Sequence, residues 1–288
     1  MHPRDLDTFL HVAENQSVSR TATALHLTQP AVTKRIQNLE DDLGTPLFDR
    51  VGKRLQLTAA GKTLVPSAQR ILSAMQDARA ELANLADQVA GRLTLATSHH
   101  IGLHRLGPVL RAFRERHPQV QLDISFEDSE VAHELVRSGE IEIAVATLNP
   151  AGAEDLAVAP VWADPLVFVA DAPPPAEAPL SLAALAALPS VLPGTSTYTG
   201  RIVLELFREA GVQLTPTMVT NYLETLAMLV RAGLGWSVLP RSMAGDLPTL
   251  TVASPPLERT LGLLTNPQRS ASNAARAFRD VLMEFAEA

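Results

Sequence analysis

The apolar positions near the start of the chain recur at helical spacing and predict three consecutive helices. The stripe of the first helix consists of Leu6, Phe9, Leu10 and Ala13. A second, shorter helix can be capped by Ser17 or by Ser19. The stripe of the third helix consists of Val32, Ile36, Leu39 and Leu43. These narrow stripes predict a small all-α bundle with its own core.

The third predicted helix has a polar face opposite its apolar stripe. Thr28 is a suitable N-cap, Pro30 falls in the first turn and Gly44 ends the helix. The side chains able to bond base edges, phosphates or guanine are Gln29, Thr33, Lys34, Arg35 and Gln37. Two short helices followed by such a third helix form the helix-turn-helix arrangement, in which the third helix enters the major groove. A solvated helix face gives the same pattern, so both interpretations stay open for this helix alone.

A basic hairpin is predicted directly after the third helix. Segments 47–50 and 54–57 alternate as strands around a turn that contains glycine. The basic side chains at the tip are Arg50, Lys53 and Arg54. Between Leu43 and Lys62 the only acidic residue is Asp49. Such a wing is suited to backbone phosphates beside the groove.

A heptad pattern follows the hairpin. Apolar positions separated alternately by four and three residues are Leu64, Ala68, Ile71, Met75, Ala78, Leu82, Leu85 and Val89. This spacing keeps one seam toward a partner helix and predicts dimerisation, with packing of the helix on its own domain as the alternative. Pro66 removes a backbone hydrogen bond and is expected to kink the helix.

Beyond Gly91 the pattern changes to alternating strands and helices. Strands at 93–97, 120–126 and 141–147 are separated by helices at 106–116 and 130–138, which predicts a parallel sheet covered by helices. Further strands are expected at 165–170, near Met218, at 236–239 and at 261–265. Further helices are expected at 181–188, 199–210, 223–232 and 271–285.

Composition and charge support a division of the chain into two parts near residue 90. The chain has 288 residues, of which 46% are hydrophobic and 19% charged, as in a globular protein of about two domains. Its net charge of −7, taken alone, argues against a nucleic-acid binder. However, residues 1–90 carry ten basic and ten acidic side chains, so the whole acidic excess lies in 91–288. The placement of basic groups on one helix and one wing is therefore stronger evidence about DNA binding than the net charge of the whole chain.

Several classes of function are excluded by what the sequence lacks. It has no cysteine, which excludes disulfides, thiolate-bound metals and thiol redox switching. It has no Gly-x-Ser-x-Gly elbow and no phosphate-cradling loop with lysine, so we do not expect an enzyme. The first residues do not form a secretion signal and no apolar stretch reaches 18 residues, so we expect a cytoplasmic protein without a membrane partner.

Seven short motifs occur in a specific order and spacing up to about residue 61. They are Leu6–Leu10, Ser17–Ala22, Leu27–Ile36, Leu39–Glu40, Leu43–Gly44, Pro46–Arg50 and Leu57–Gly61. In these motifs the chain resembles the LysR-type transcriptional regulators. The family often has Ser at the position of Thr33 and Arg at that of Lys34, and both changes preserve the chemistry. The DNA contacts that we expect are Ser17, Arg20, Thr28, Gln29, Pro30, Ala31, Thr33, Lys34, Arg35, Gln37, Arg50, Lys53 and Arg54.

The resemblance implies an α/β protein with an N-terminal all-α winged helix-turn-helix, a linker helix and two periplasmic-binding-protein-like α/β lobes. We expect the DNA-binding domain at 1–58, the linker and dimerisation helix at 59–90, and the effector-binding domain at 91–288. The first lobe would comprise 91–163 and 267–288, and the second 164–266, with crossings near 162–165 and 264–267. The implied partners are double-stranded DNA, further copies of the chain in a dimer and tetramer, and RNA polymerase.

An effector is expected between the two lobes, because ligands of such sheets bind at the carboxyl ends of strands beside helix N-termini. The residues at those positions are Thr97, Ser98, His99, His100, Ser129, Thr147, Thr195, Ser196, Thr197, Tyr198, Tyr222 and Thr225. They suit a small polar or anionic metabolite, and no other cofactor is expected. Each Ser or Thr can instead serve only as a helix cap.

Three histidines need separate consideration. The His-His-x-x-x-His spacing of His99, His100 and His104 can ligate zinc when the side chains share one helix face. Neighbouring histidines point apart on a helix and no acid follows before Glu115, so we expect no metal site. His100 and His104 would face the cleft together if a helix begins there. The sequence thus favours a ligand-responsive regulator, with a ligand-independent DNA-binding repressor or architectural protein as the alternative.

Overall fold

The computed structural model describes residues 1–51, 54–84, 88–152, 155–172 and 179–286. The chain divides into two compact units. The first is Met1–Ala86 with Ser138–Glu140, and the second is Asp87–Arg137 with Ile141–Ala288. Within the described ranges, no helix is both long and apolar enough to cross a membrane.

The first unit contains the predicted helices, the hairpin and a long helix. Their bounds are α1 (Pro3–Asn15), α2 (Val18–Ala24), α3 (Gln29–Leu43), β1 (Phe48–Val51), β2 (Arg54–Leu57) and α4 (Ala59–Asn84). Ser17 and Thr28 cap α2 and α3 with their hydroxyl oxygens, as predicted. Gly44 ends α3 in the left-handed conformation at φ 65°, which glycine adopts without strain.

The core of the first unit is built largely from the predicted stripes. Phe9, Val32, Ile36 and Leu39 are buried together in one apolar cluster. Leu43 is 39% exposed, so its predicted place in the core is wrong. It is the last residue of α3, where the helix extends past the buried part of the stripe.

The hairpin is fixed to α3 and α4 by motif residues. Strands β1 and β2 pair antiparallel, with Phe48 opposite Leu57. Glu40 accepts hydrogen bonds from the backbone N–H groups of Leu47 (2.7 Å) and Phe48 (3.3 Å). The Thr58 hydroxyl donates to the carbonyl oxygen of Pro46 (2.8 Å), at the other side of the hairpin base. These contacts hold the base of the wing at a set position.

The predicted heptad seam divides into parts with different surroundings. Leu64, Ala68 and Ile71 pack into the core of the first unit, as the alternative of intramolecular packing requires. Met75 is half-buried, and Ala78 and Leu82 are exposed. Leu85 lies outside the described residues. The placement of Val89 on the seam is wrong, because it lies beyond α4 in non-helical backbone and packs against the core of the second unit.

Helix α4 contains Pro66 in its interior and continues on both sides of it. The predicted kink at this residue stays a prediction. Pairing of two chains through the exposed end of α4 also stays a prediction.

The second unit is an α/β structure. Its elements are β3 (Gly91–Thr97), α5 (His99–His104), α6 (Leu106–Arg116), β4 (Val120–Phe126), α7 (Ser129–Ser138), β5 (Ile143–Thr147), β6 (Ala157–Val169), α8 (Leu182–Ala186), β7 (Val191–Leu192), α9 (Tyr198–Glu209), β8 (Met218–Val219), α10 (Leu223–Arg231), β9 (Ser237–Pro240), α11 (Arg241–Ala244), β10 (Leu257–Thr265) and α12 (Asn273–Met283). Six strands form one sheet in the order β4-β3-β5-β10-β6-β9. Strand β3 pairs parallel with β4 and β5, which confirms the predicted βαβαβ start.

Separate groups of buried side chains define two lobes in this unit. The core of the first lobe includes Leu93, Phe113, Ile143, Trp162 and Phe278. The core of the second lobe includes Phe168, Leu185, Phe207, Trp236 and Val238. The strand predicted at 165–170 is the end of the 13-residue β6, which passes through both lobes.

The chain crosses between the lobes on two paired strands. On β6, Trp162 packs in the first lobe and Leu166 in the second, in agreement with the crossing predicted near 162–165. On β10, Leu257 packs with the second lobe and Leu261 already with the first. The crossing predicted at 264–267 is therefore wrong. It lies earlier because β10 runs antiparallel along β6, so both strands change lobe at the same level of the sheet. The exact domain boundaries stay predictions.

Candidate DNA-contacting surface and effector cleft

The polar face of α3 is accessible, as a helix that reads the major groove requires. The exposed members of the predicted contact set on α3 and its cap are Thr28, Gln29, Pro30, Thr33, Lys34 and Gln37, and Ala31 is half-buried. The side-chain amide of Gln29 donates to the hydroxyl of Ser19 at 3.2 Å. This bond orients Gln29 beside α2.

Other predicted DNA contacts have structural partners in the first unit. Arg35 is half-buried, and its guanidinium donates to the Thr8 hydroxyl of α1 at 3.1 Å. The hydroxyl of Ser17 is occupied by the cap of α2. Arg20 is exposed and donates to the carbonyl oxygen of Asn15. The part of Arg35 in holding α3 against α1 is therefore a second role besides the predicted one.

The basic tip of the wing falls outside what the structure describes. Lys53 and the side chains of Arg50 and Arg54 lie outside the described residues. Their contact with phosphate stays a prediction.

A cleft of about 460 Å³ lies between the two lobes of the second unit. Ser98, Glu127 and Thr147 line it at the ends of β3, β4 and β5, which is where ligands of such sheets bind. The further lining residues are His99, His100, Phe126, Asp128, Ser129, Glu130, Val131, Pro193, Thr197, Tyr198, Thr199, Asn221, Tyr222, Leu223, Glu224 and Arg259. The two lobes thus contribute polar side chains to the same space.

Polar contacts join the lobes across this cleft. The side-chain amide of Asn221 donates to Asp128 at 2.8 Å. The backbone N–H of Tyr198 donates to the carboxylate of Glu130. Burial raises the pKa of Glu130, and the bond from Tyr198 opposes that rise. The lobes are therefore held together by carboxylates of the first lobe and donors of the second.

A buried group of charges lies where the two strands cross. Arg259 and Asp164 are opposite each other on β10 and β6, and their side chains are 6% and 1% exposed. The Arg259 guanidinium donates to Asp164 at 2.7 Å and to the Thr199 hydroxyl at 2.9 Å. Burial alone would raise the pKa of Asp164, but His100 and the charge of Arg259 hold it below its ordinary value. The carboxylate therefore stays ionised inside the domain.

Hydrogen bonds behind the cleft fix the wall of the first lobe. The backbone N–H of Thr147 donates to the Ser129 hydroxyl at 3.1 Å. A ring nitrogen of His133 hydrogen-bonds the Thr147 carbonyl oxygen at 3.0 Å, and the ring packs against Tyr198. Burial lowers the pKa of His133, which favours the neutral ring in this position.

Comparison with protein families matches both units. The profile of the bacterial regulatory helix-turn-helix proteins of the lysR family matches residues 3–62. The profile of the LysR substrate binding domain matches residues 86–287, well over half of the chain. The chain belongs to the LysR family. Members of this family are DNA-binding transcriptional regulators rather than enzymes.

Individual relatives are similar over most of this LysR-type chain or over about a third of it. YeiE, an uncharacterised HTH-type transcriptional regulator of Escherichia coli K12, is 31% identical over 284 residues, which cover 96% of this chain and 95% of YeiE. A regulator from the ibpB–leuC intergenic region of Azotobacter vinelandii is 58% identical over 103 residues, 36% of this chain and 72% of that protein.

Solved structures of LysR-type regulators share the fold. Full-length CbnR bound to its target DNA has a TM-score of 0.69 at 23% identity, covering 99% of this chain and all of that one. Full-length OxyR of Pseudomonas aeruginosa, in a variant with aspartate in place of one cysteine, has a TM-score of 0.69 at 26% identity, covering 98% and 94%. These neighbours support the predicted winged helix-turn-helix and two-lobe α/β architecture.

The structure places most of the predicted effector residues of this LysR-type chain at the cleft. Those that line it are Ser98, His99, His100, Ser129, Thr147, Thr197, Tyr198 and Tyr222. Thr97 does not, because its hydroxyl is turned into the sheet and donates to the Val145 carbonyl oxygen at 2.9 Å. Thr195, Ser196 and Thr225 also do not line it. The first two sit in the loop before α9, of which Pro193, Thr197 and the start of the helix reach the cleft.

The main group that sequence reasoning missed is acidic. Glu127, Asp128, Glu130 and Glu224 line the cleft, and Arg259 lines it as well. The signal for Glu127 and Asp128 was present, since they directly follow β4 at the carboxyl end of a strand, and Glu130 lies in the first turn of the helix that comes next. Glu224 lies between the predicted residues Tyr222 and Thr225 at the start of α10 and shares their signal, whereas no local signal marks Arg259.

Proposed function

We propose that this LysR-type protein is a sequence-specific transcriptional regulator whose DNA binding responds to a small molecule held between the lobes. The cleft carries the proposal, because polar side chains from both lobes converge on about 460 Å³, a volume typical of small-ligand sites. The regulator acts in the cytoplasm as a dimer paired through the exposed end of α4, assembled further into a tetramer. Its partners are duplex DNA and RNA polymerase.

The charges of the cleft indicate which ligands fit. Four carboxylates line it, those of Glu127, Asp128, Glu130 and Glu224. The charge of Arg259 is already paired with Asp164. A polar ligand that offers hydrogen-bond donors, such as an ammonium group, is therefore favoured. Of the two classes expected from the sequence, the polar one fits and the anionic one is opposed by like charge.

The lobe-bridging bonds suggest how such a ligand acts. A ligand donor bound to Asp128 or Glu130 competes with Asn221 and with the Tyr198 backbone for the same oxygens. Replacing these partners changes how the lobes are held together. The ligand shifts the equilibrium between two lobe arrangements only by its difference in affinity for them.

A thermal-shift screen of the full chain with amines, amino acids, organic acids and nucleotides tests the effector. A hit at 100 times its Kd is expected to stabilise the protein by about 2.7 kcal/mol and to change the DNA footprint. Asp128→Asn is expected to weaken that hit about tenfold or more, because a charge-assisted bond is lost. Thr195→Ala, outside the cleft lining, is the matched control. If no compound changes melting or footprint, the protein is a ligand-independent repressor or architectural protein.

The DNA-contacting face is tested by separating specificity from affinity. Gln29→Ala is expected to relax base preference at one position per half-site, at a cost of about 1–3 kcal/mol on the preferred site. Lys34→Ala is expected to weaken binding to all sequences and to lower the salt slope by about one. Gel-shift titrations over a salt series measure both.

The control for this pair is Thr63→Ala, which removes an exposed hydroxyl on α4 outside the predicted contacts. It is expected to leave affinity and salt slope unchanged. If Gln29→Ala and Lys34→Ala lost equal affinity for preferred DNA and equal affinity for random DNA, the assignment of base reading to Gln29 and of phosphate binding to Lys34 would be contradicted.

A further inference from the structure

Two histidines and a glutamate from different lobes come together at one side of the cleft. His100 and His104 are four residues apart on α5, and Glu224 is in the first turn of α10. One side-chain ligand atom of each residue lies within 4.8 Å of those of the other two. The two imidazole rings are 5.2 Å apart between centroids. This places two nitrogen donors and one oxygen donor around a common point.

The spacing of these atoms is close to that of a tetrahedral metal site. Zinc binds nitrogen and oxygen ligands at about 2.0–2.1 Å, so two ligand atoms of a tetrahedral site are roughly 3.3 Å apart. The distance from His104 Nε2 to Glu224 Oε1 is 3.4 Å. No two ligand atoms of the cluster are more than 4.8 Å apart, so a movement of at most about 1.5 Å closes each separation to this value.

Among the described residues, three polar atoms of this cluster are buried without a hydrogen-bond partner, although the side chains of His104 and Glu224 are partly exposed. Within the described part of the chain, neither ring nitrogen of His100 and not Oε1 of Glu224 has a hydrogen-bond partner. Unsatisfied buried polar atoms are rare and costly, so each one calls for an occupant.

We propose that His100, His104 and Glu224 bind a divalent transition-metal ion of the zinc type and that this ion joins the two lobes. Two imidazoles and a carboxylate are a ligand set that zinc takes in open sites with three protein ligands. Asp164 lies 3.7 Å from His100 Nε2, in the position of the carboxylates that orient metal-binding histidines. The fourth position is left for water or a ligand.

The sequence predicted no metal site, because the acidic ligand is far from the two histidines along the chain. The sequence showed no acid close to the histidines, whereas the acid that completes the cluster comes from α10 in the other lobe. An ion held by both lobes stabilises their present arrangement. Metal binding can be measured without DNA and without an organic effector, so its failure leaves the proposed function untouched.

Calorimetric titration of the metal-free full chain with ZnCl₂, without a polyhistidine tag, tests the proposal. We expect one tight site per chain and a raised melting temperature, because the ion binds the folded state. The chain has no cysteine, so thiolates do not compete. His104→Ala and Glu224→Gln are each expected to weaken the site at least about 100-fold, since even loss of an outer-shell partner costs about 10–100-fold. Both side chains are partly exposed, so these changes spare the core.

His99→Ala is the matched control, because His99 is the neighbouring histidine of α5 but not a member of the cluster. It is expected to bind zinc as the wild type does. Melting curves without zinc that match the wild type show that the variants are folded. The proposal is overturned if the wild type shows only weak binding, or if the tight site persists in both His104→Ala and Glu224→Gln. Loss of the tight zinc site in the His99→Ala control also overturns the proposal.

Discussion

Replacing Arg259 by methionine is expected to destabilise the effector-binding unit by about 3–5 kcal/mol, the usual cost of removing one partner from a buried ion pair. The change leaves the carboxylate of Asp164, 1% exposed, without the guanidinium that donates to it at 2.7 Å. It also removes the donor to Thr199 at the cleft wall. The midpoint of urea-induced unfolding, followed by circular dichroism, measures the loss.

Two further variants make this result interpretable. Asp164→Asn combined with Arg259→Met removes both charges and is expected to recover a large part of the loss, because no uncompensated charge is left buried. Arg279→Met changes an exposed arginine of α12 and is expected to stay within about 0.5 kcal/mol of the wild type. A single-variant loss below about 1 kcal/mol would show that the pair is not buried in solution.

This pair also shows how far the sequence leads in the second unit. Asp164 lies within the predicted first crossing, but the crossing on β10 was expected at 264–267. The β10 side was misplaced because periodicity locates a strand and not its register against a distant strand. Only the pairing of β10 along β6 sets Arg259 opposite Asp164. The buried charge at the crossing is therefore a product of tertiary structure.

The elements of the first unit were easier to predict from the sequence, because the signals that mark them are local. The caps Ser17 and Thr28, the stop at Gly44 and the stripe of α3 act within a few residues of their own helix. The heptad was harder, because the same spacing serves a partner helix and a core in the same chain. Residues such as Leu64 pack within their own unit, whereas Leu82 stays exposed. The spacing alone does not distinguish these environments.

The residues of the cleft were only partly predictable from the sequence. Residues at strand ends, such as Ser98 and Thr147, were predictable because the carboxyl ends of parallel strands share one edge. Asn221 and Arg259 were not, because no motif marks them and Arg259 reaches the cleft only through the pairing of β10 with β6. The unpredicted residues include those that bridge the lobes and set the charge.

Gly200→Ala is expected to cost about 2–3 kcal/mol and to weaken binding of any cleft ligand, because the new methyl group has no room. A Cβ at this position of α9 would overlap the carbonyl oxygen of Gly194 and lie 2.9 Å from its carbonyl carbon and 3.0 Å from the Pro193 oxygen. These are backbone atoms, which cannot rotate away. The loop that supplies Pro193 and Thr197 to the cleft must therefore move. Urea unfolding and ligand titration measure the two effects.

Gly107→Ala is the matched control, because it makes the same substitution at a position of α6 where a Cβ would meet nothing within 4 Å. Alanine is the better helix former, so this variant is expected to be about 0.5–1 kcal/mol more stable than the wild type. The opposite signs expected for the two substitutions isolate the packing of α9 on its loop from helix propensity. If Gly200→Ala were also stabilising, the loop before α9 would not be held against the helix, and the position of Thr197 at the cleft would lose its support.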